Sequence, residues 1–196
     1  MEINKRELKR KIFHVSNGII ISTLVYFNIL NWFLLLIMFI LGLVLSFIAK
    51  NYNIKPLAFF LRNLDRDHDI KNFPGKGAIT FICGCFIVTF LFTKDIALAS
   101  ILIMAFGDAV SSLVSNSFAK IKHPMNSFKK LEGTILAILV SFIVSSLFIS
   151  YIEALIASII GMLVESIYFK NKIFFVDDNI LIPLFSGITI FILRTI

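Results

Sequence analysis

Apolar residues gather in long runs separated by short polar loops. Seven runs stand out, at 12–28, 31–49, 78–92, 96–118, 134–150, 152–169 and 180–196. Each is near the roughly 20 residues that a helical membrane span needs. The pattern predicts an all-α integral membrane protein, a bundle of about seven transmembrane helices in one domain over residues 1–196. The breaks at 28–31 and 150–153 leave room only for tight turns, so each flanking pair is expected to form an antiparallel helical hairpin.

Composition agrees with that pattern. Hydrophobic residues make up 58% of the 196 positions, and the mean hydropathy is +0.93. A soluble domain is nearer half apolar. No polar linker is long enough to separate two domains. The basic N-terminus leads into an apolar run without a small-residue cleavage site, so the first span is expected to be retained. Cys83 and Cys85 lie two apart in an apolar run and point to different sides of a helix, which reads as core packing rather than a metal or redox pair.

Charge gives the orientation. Of the 19 Lys and Arg, 17 fall at the N-terminus and in alternate loops, and only Lys94 and Arg194 fall on the opposite side. Basic residues mark the cytoplasmic face. The N-terminus is therefore expected in the cytoplasm, with the chain in the cell membrane, or in the endoplasmic reticulum membrane if eukaryotic. The net charge of +7 then belongs to the cytoplasmic face, where it attracts anionic lipid headgroups and nucleotides. Nucleic acid is set aside as a partner, because the basic residues flank spans and no base-reading module is present. Oligomeric state is not legible.

The cytoplasmic loop 52–74 contains KPLAFFLRNLDR at 55–66, which reads as an amphipathic surface helix with Pro56 in its first turn. The following Asp65, Asp67, His68 and Asp69 read as a solvated loop in preference to a metal site. The loop ends in FPGKGA. Gly75 and Gly77 let backbone N–H groups converge, Lys76 adds charge and a helix start follows, which makes a phosphate cradle. An ordinary loop-to-helix turn fits the same residues.

The stretch from Gly107 to Gly133 carries the strongest functional signal. Asp108 lies inside an apolar run, and a buried acid in a membrane segment marks a functional site by default. Ser111 and Ser115 follow Gly107 at a spacing of four, giving either close helix packing or room for a ligand. The stretch ends at Lys129, Glu132 and Gly133. Elsewhere Arg10, His14 and Gly18 share a helix face, with Lys11 beside His14 and Glu7 in reach. Glu165 falls near the end of the sixth run, and Asp177, Asp178 and Asn179 precede the seventh. In this topology, odd-numbered helices point their positive N-terminal dipoles at the same region. Carboxylates, basic residues and helix N-termini together suit a Mg²⁺-bound polyphosphate. Ion transport is the rival use of intramembrane acids, but these residues cluster at one face and do not line a path.

The same residues resemble the CTP-dependent lipid-alcohol kinases, which include dolichol kinase, phytol kinase and yeast-type diacylglycerol kinase. The matching segments are Glu7, Leu8, Arg10, Lys11, His14 and Gly18; Pro74–Gly77; Gly107, Asp108 and Ala109; Lys129, Glu132 and Gly133; and Glu165, Asp178, Asn179 and Pro183. They occur in family order over most of the chain. Ser115 and Ala119 stand where the family has glycine, and Lys130 where it has Thr or Ser. The CDP-lipid synthases share the G-D and K-x-x-E-G core, but the Ser-Pro they carry before the lysine is missing from MNSFKKLEG. The resemblance implies phosphoryl transfer from CTP to a dolichol- or polyprenol-type alcohol. Asp108, Glu132 and Asp178 would hold Mg²⁺, with Asp108 the candidate base. Arg10, Lys11, Lys76 and Lys129 would bind phosphates. His14 would contact phosphate or alcohol, Asn179 would orient metal or nucleotide, and Glu165 is a further candidate.

Overall fold

The computed structural model describes residues 5–52, 61, 65, 67–117, 119–167 and 176–195. Eight helices and one hairpin follow in order: α1 (Lys5–Tyr26), α2 (Trp32–Asn51), α3 (Asp67–Asn72), α4 (Lys76–Leu91), α5 (Lys94–Ser117), β1 (Lys122–His123), β2 (Asn126–Lys130), α6 (Leu131–Ser145), α7 (Tyr151–Ser166) and α8 (Asp178–Thr195). The seven long helices coincide with the seven apolar runs. The amphipathic helix expected at 55–66 lies almost wholly outside the described residues.

Helix α5 is the centre. It packs against α1, α4, α6, α7 and α8. Its residues from Ile96 to Ala105 are buried without interruption, with Ala99, Ile101, Ile103 and Met104 fully enclosed. Small residues set the closeness of the neighbours. A Cβ at Gly18 of α1 would overlap Ala105, one at Gly107 would overlap Met162 of α7, and one at Gly161 would meet Ser186 of α8. In lipid, such small-residue contacts supply van der Waals packing where no hydrophobic drive acts between helices.

By length and composition, α2, α5 and α8 can each cross a membrane. Helices α4 and α6 are apolar but shorter, at 16 and 15 residues, or roughly 24 and 22 Å at about 1.5 Å per residue. The outer surface is rich in exposed Ile, Leu and Phe, including Ile19, Ile20, Phe33, Leu45, Phe47 and Leu147. A patch of that extent fits acyl chains and not water.

One expectation is corrected. The turn after α1 is tight, with Asn28 at φ +57 and the Asn31 side chain accepting from Leu34 N–H at the start of α2. The two helices nevertheless part: α1 packs on α5 and α2 packs on α4. The small face of α1 finds Ala105, whereas α2 sets Gly42 against Ile79 of α4. The second turn behaves as expected. Ser150 and Glu153 form a capping box, and α6 and α7 pack together.

The bundle has two polar ends. At one, Arg194 binds Asp95 at 2.5 Å and Glu153 at 2.7 Å, and Lys94 reaches the Tyr26 carbonyl and Asn28. At the other lie the starts of α1, α4, α6 and α8, the ends of α5 and α7, and the hairpin.

Candidate functional site

The second end gathers most of the residues singled out in the sequence. Asp108 sits in the second half of α5, with its side chain 13% exposed. Lys11 of α1 donates to its carboxylate at 2.6 Å. His14, one turn further along α1, brings Nε2 to 3.5 Å from the same oxygen. The His14 ring stands edge-on to Phe81 of α4, with centroids 4.8 Å apart. The four-residue spacing of Arg10, His14 and Gly18 explains the arrangement: Gly18 lets α1 approach α5 closely enough for the turn before it to reach Asp108.

A second pair stands beside the first. Glu165 of α7 is 1% exposed. Lys129, on the hairpin, binds both its carboxylate and its backbone carbonyl. Ser111 donates to the other carboxylate oxygen at 3.2 Å. Ser111 is three residues after Asp108, so both acids face the same side of α5. Asp108, Lys129 and Asp178 all lie within electrostatic range of Glu165.

The third part is the junction of α4 and α8. The Asn179 amide donates to the Gly77 carbonyl at 3.2 Å and to Thr80 Oγ1 at 3.0 Å. A Cβ at Gly84 would overlap the Asn179 carbonyl, so only glycine permits the approach. Lys76 Nζ is 3.9 Å from the Asp177 carboxylate. Gly75 takes a left-handed φ of +78 and leads into α4 without a side-chain cap.

Several residues have placements that the sequence did not foretell. Glu132 does not join the acids around Glu165. It accepts from the N–H groups of Lys120 at 2.9 Å and Ile121 at 3.1 Å, anchoring the loop that opens the hairpin. Gly133 beside it packs on Ser111 and Ser115, and Ser115 Oγ accepts from Lys130 N–H at 3.3 Å. The serines are thus packing and anchoring groups. Arg10, by contrast, pairs with Glu7 on its own helix at 2.6 Å, as their spacing of three leads one to expect. Asp65, assigned to a solvated loop, is 7% exposed and accepts from Gly75 N–H at 2.5 Å. Burial raises the pKa of that carboxyl above its ordinary value. The partners of Ser111, Thr80 and Asp65 are 54, 99 and 10 positions away, so local sequence does not show these contacts.

Among the described residues no group of three or more His, Cys, Asp or Glu is arranged to hold a metal ion. Mg²⁺ on a nucleotide needs only one or two carboxylates beside the phosphates, and Asp108 and Asp178 offer hard oxygens of that kind.

Three relatives carry the comparison with known proteins. The chain is 28% identical to an uncharacterized protein of Rickettsia prowazekii, over 91% of this chain and 90% of the relative. It is 27% identical to an uncharacterized protein of Methanocaldococcus jannaschii, over 91% and 89%. It is 24% identical to the CTP-dependent diacylglycerol kinase 1 of Saccharomyces cerevisiae, over 95% of this chain and 73% of the relative. No family model matches, and no solved structure matches.

Proposed function

We propose that the protein is a membrane kinase that transfers the γ-phosphoryl group of CTP to the hydroxyl of a long-chain lipid alcohol of the dolichol or polyprenol type. The observation that carries this reading is the convergence of Lys11–Asp108 and Lys129–Glu165 at one end of an apolar bundle. The distant similarity to a CTP-dependent lipid kinase along nearly the whole chain supports it. In this reading all seven long helices cross the membrane, and the polar end faces the cytoplasm, where a soluble nucleotide arrives. The basic residues of that end then obey the positive-inside pattern.

Phosphoryl transfer needs positioning and charge neutralisation more than covalent help. Lys11, Lys76 and Lys129, with Arg10 at the rim, hold the phosphate oxygens. The two deepest lysines are already paired with acids, so a polyphosphate exchanges an intramolecular partner for its own oxygens. Asp108 takes the hydroxyl proton as the alcohol oxygen bonds to the γ-phosphorus and the bond from that phosphorus to the bridging oxygen breaks, releasing CDP. His14 stands beside Asp108 to contact the alcohol or a phosphate. Asp178 is the carboxylate that would hold Mg²⁺, which when bound neutralises charge on the phosphate oxygens. Glu132 and Asn179 serve by fixing the hairpin and the α4–α8 junction.

The reading is tested with purified protein, CTP and a panel of acceptors that includes a polyprenol and a diacylglycerol. CDP and a phosphorylated polyprenol are expected. Phosphorylation of diacylglycerol alone would move the acceptor class to that of the yeast relative. Pyrophosphate release with a lipid phosphate acceptor would establish a CDP-lipid synthase instead, and nucleotide-independent flux across proteoliposomes would establish a transporter.

A further inference from the structure

Asp65 lies in a stretch of charged sequence, yet its side chain is buried. Its carboxylate binds Gly75 N–H at 2.5 Å. Its backbone carbonyl accepts from Arg6 Nη2 of α1 at 2.6 Å. One residue therefore joins the start of α1 to the turn that opens α4. That turn needs external support. Gly75 is in the left-handed region; the Lys76 N–H reaches the Phe73 carbonyl at 3.2 Å, and no side chain caps the start of α4. The residue after Gly75 is Lys76.

We propose that Asp65 is a positioning residue for nucleotide binding: by fixing Gly75 and, through Arg6, the register of α1, it holds Lys76 and the α4 N-terminus in place for the phosphates. This rests on the kinase reading for its ligand, although the mechanical link does not. A carboxylate is suited to the task. A charge-assisted bond to a backbone N–H is about twice as strong as a neutral one, and burial removes the water that would compete for it. The carboxylate also stays off the phosphates, because it is turned to the backbone of the turn and flanked electrostatically by Arg6 and Arg10.

The experiment compares Asp65→Ala, Asp65→Asn and Asp65→Glu with the native protein in two readouts. The first is hydrogen exchange at the Gly75 amide, which needs no activity. Exchange is expected to quicken about tenfold or more in the Ala variant, where the bond is lost, and to quicken by less in the Asn variant, whose amide oxygen still accepts but without the charge. The second is the split between KM for CTP and kcat. KM is expected to rise about tenfold in the Ala variant with kcat within about twofold, and to recover in part in the Asn variant. The Glu variant should fall between in both readouts, and it supplies the result if the Ala variant does not fold. Unchanged Gly75 exchange in the Ala and Glu variants would overturn the link. Faster exchange with an unchanged KM would overturn the positioning role. If the native protein neither binds nor uses CTP, the kinase reading fails, and the exchange result still decides whether Asp65 holds the turn.

Discussion

Lys11 of α1 and Asp108 of α5 are joined at 2.6 Å, and both side chains are largely shielded, with 6% and 13% exposed. The bond spans 97 residues of sequence and ties α1 to the central helix. A buried ion pair of this kind adds little over an apolar pair, but breaking one side leaves a stranded charge. Lys11→Met should therefore destabilise the protein by about 3 kcal/mol, and Lys11→Met with Asp108→Leu should recover most of it. Thermal unfolding in detergent measures both. Catalysis should not return in the double variant, which separates the structural role from the chemical one.

The α4–α8 junction is a second point of tension. Asn179→Ala removes two hydrogen bonds and should cost about 1–3 kcal/mol. Gly84→Ala should cost about as much, because its methyl group would meet backbone and not a flexible chain end. If both variants lower activity only in proportion to the folded fraction, Asn179 acts as a junction. If Asn179→Ala instead loses activity while its unfolding midpoint is unchanged, it contacts the nucleotide or metal directly.

Arg194 offers a control at the far end. It bridges Asp95 and Glu153 on a surface that is one-third exposed for the arginine, so its pairs are worth about 1 kcal/mol or less. Arg194→Ala should lower the unfolding midpoint slightly and leave KM and kcat unchanged. A large loss of activity would mean that the two ends are coupled.

The Asp65 carboxyl supplies a pH dependence. Burial raises its folded pKa above the ordinary 3.8, so the folded state favours the protonated form. Stability from this group is fully present below 3.8 and falls as pH rises through the raised value. An Asp65→Asn variant has no such titration. Its unfolding midpoint relative to the native protein should be higher at pH 7 than at pH 4, and a difference that does not change with pH would contradict the assignment.

How much of this was legible in the sequence follows from the range of each interaction. Hydropathy located the seven long helices, since an apolar run marks a helix that buries its side chains, as α5 does among its neighbours. It set their polar ends a few residues short: α1 starts at Lys5 and α6 at Leu131, because charged residues continue a helix past its apolar edge. Motif spacing brought Lys11, His14 and Asp108 to notice, and their contact is the four-residue period of α1 meeting a glycine. The hairpin at 122–130 was missed, as its two strands are too short to show an alternating pattern. Glu132 is a candidate metal ligand by its motif, which does not show what the side chain touches. Its partners, the amides of Lys120 and Ile121, lie on the far strand side of a loop. Asp65 was read as solvated because nothing nearby shows that α1 and the Gly75 turn close over it.

In the kinase reading, the end of the bundle built on Asp108 transfers a phosphoryl group to a lipid hydroxyl. Its most direct test is transfer from γ-labelled CTP in proteoliposomes holding a polyprenol, native protein beside Asp108→Asn. Label should enter the lipid with the native protein and fall by about 100-fold or more with the variant, the scale on which losing a positioned proton acceptor acts. Full transfer by a folded Asp108→Asn protein would contradict the account.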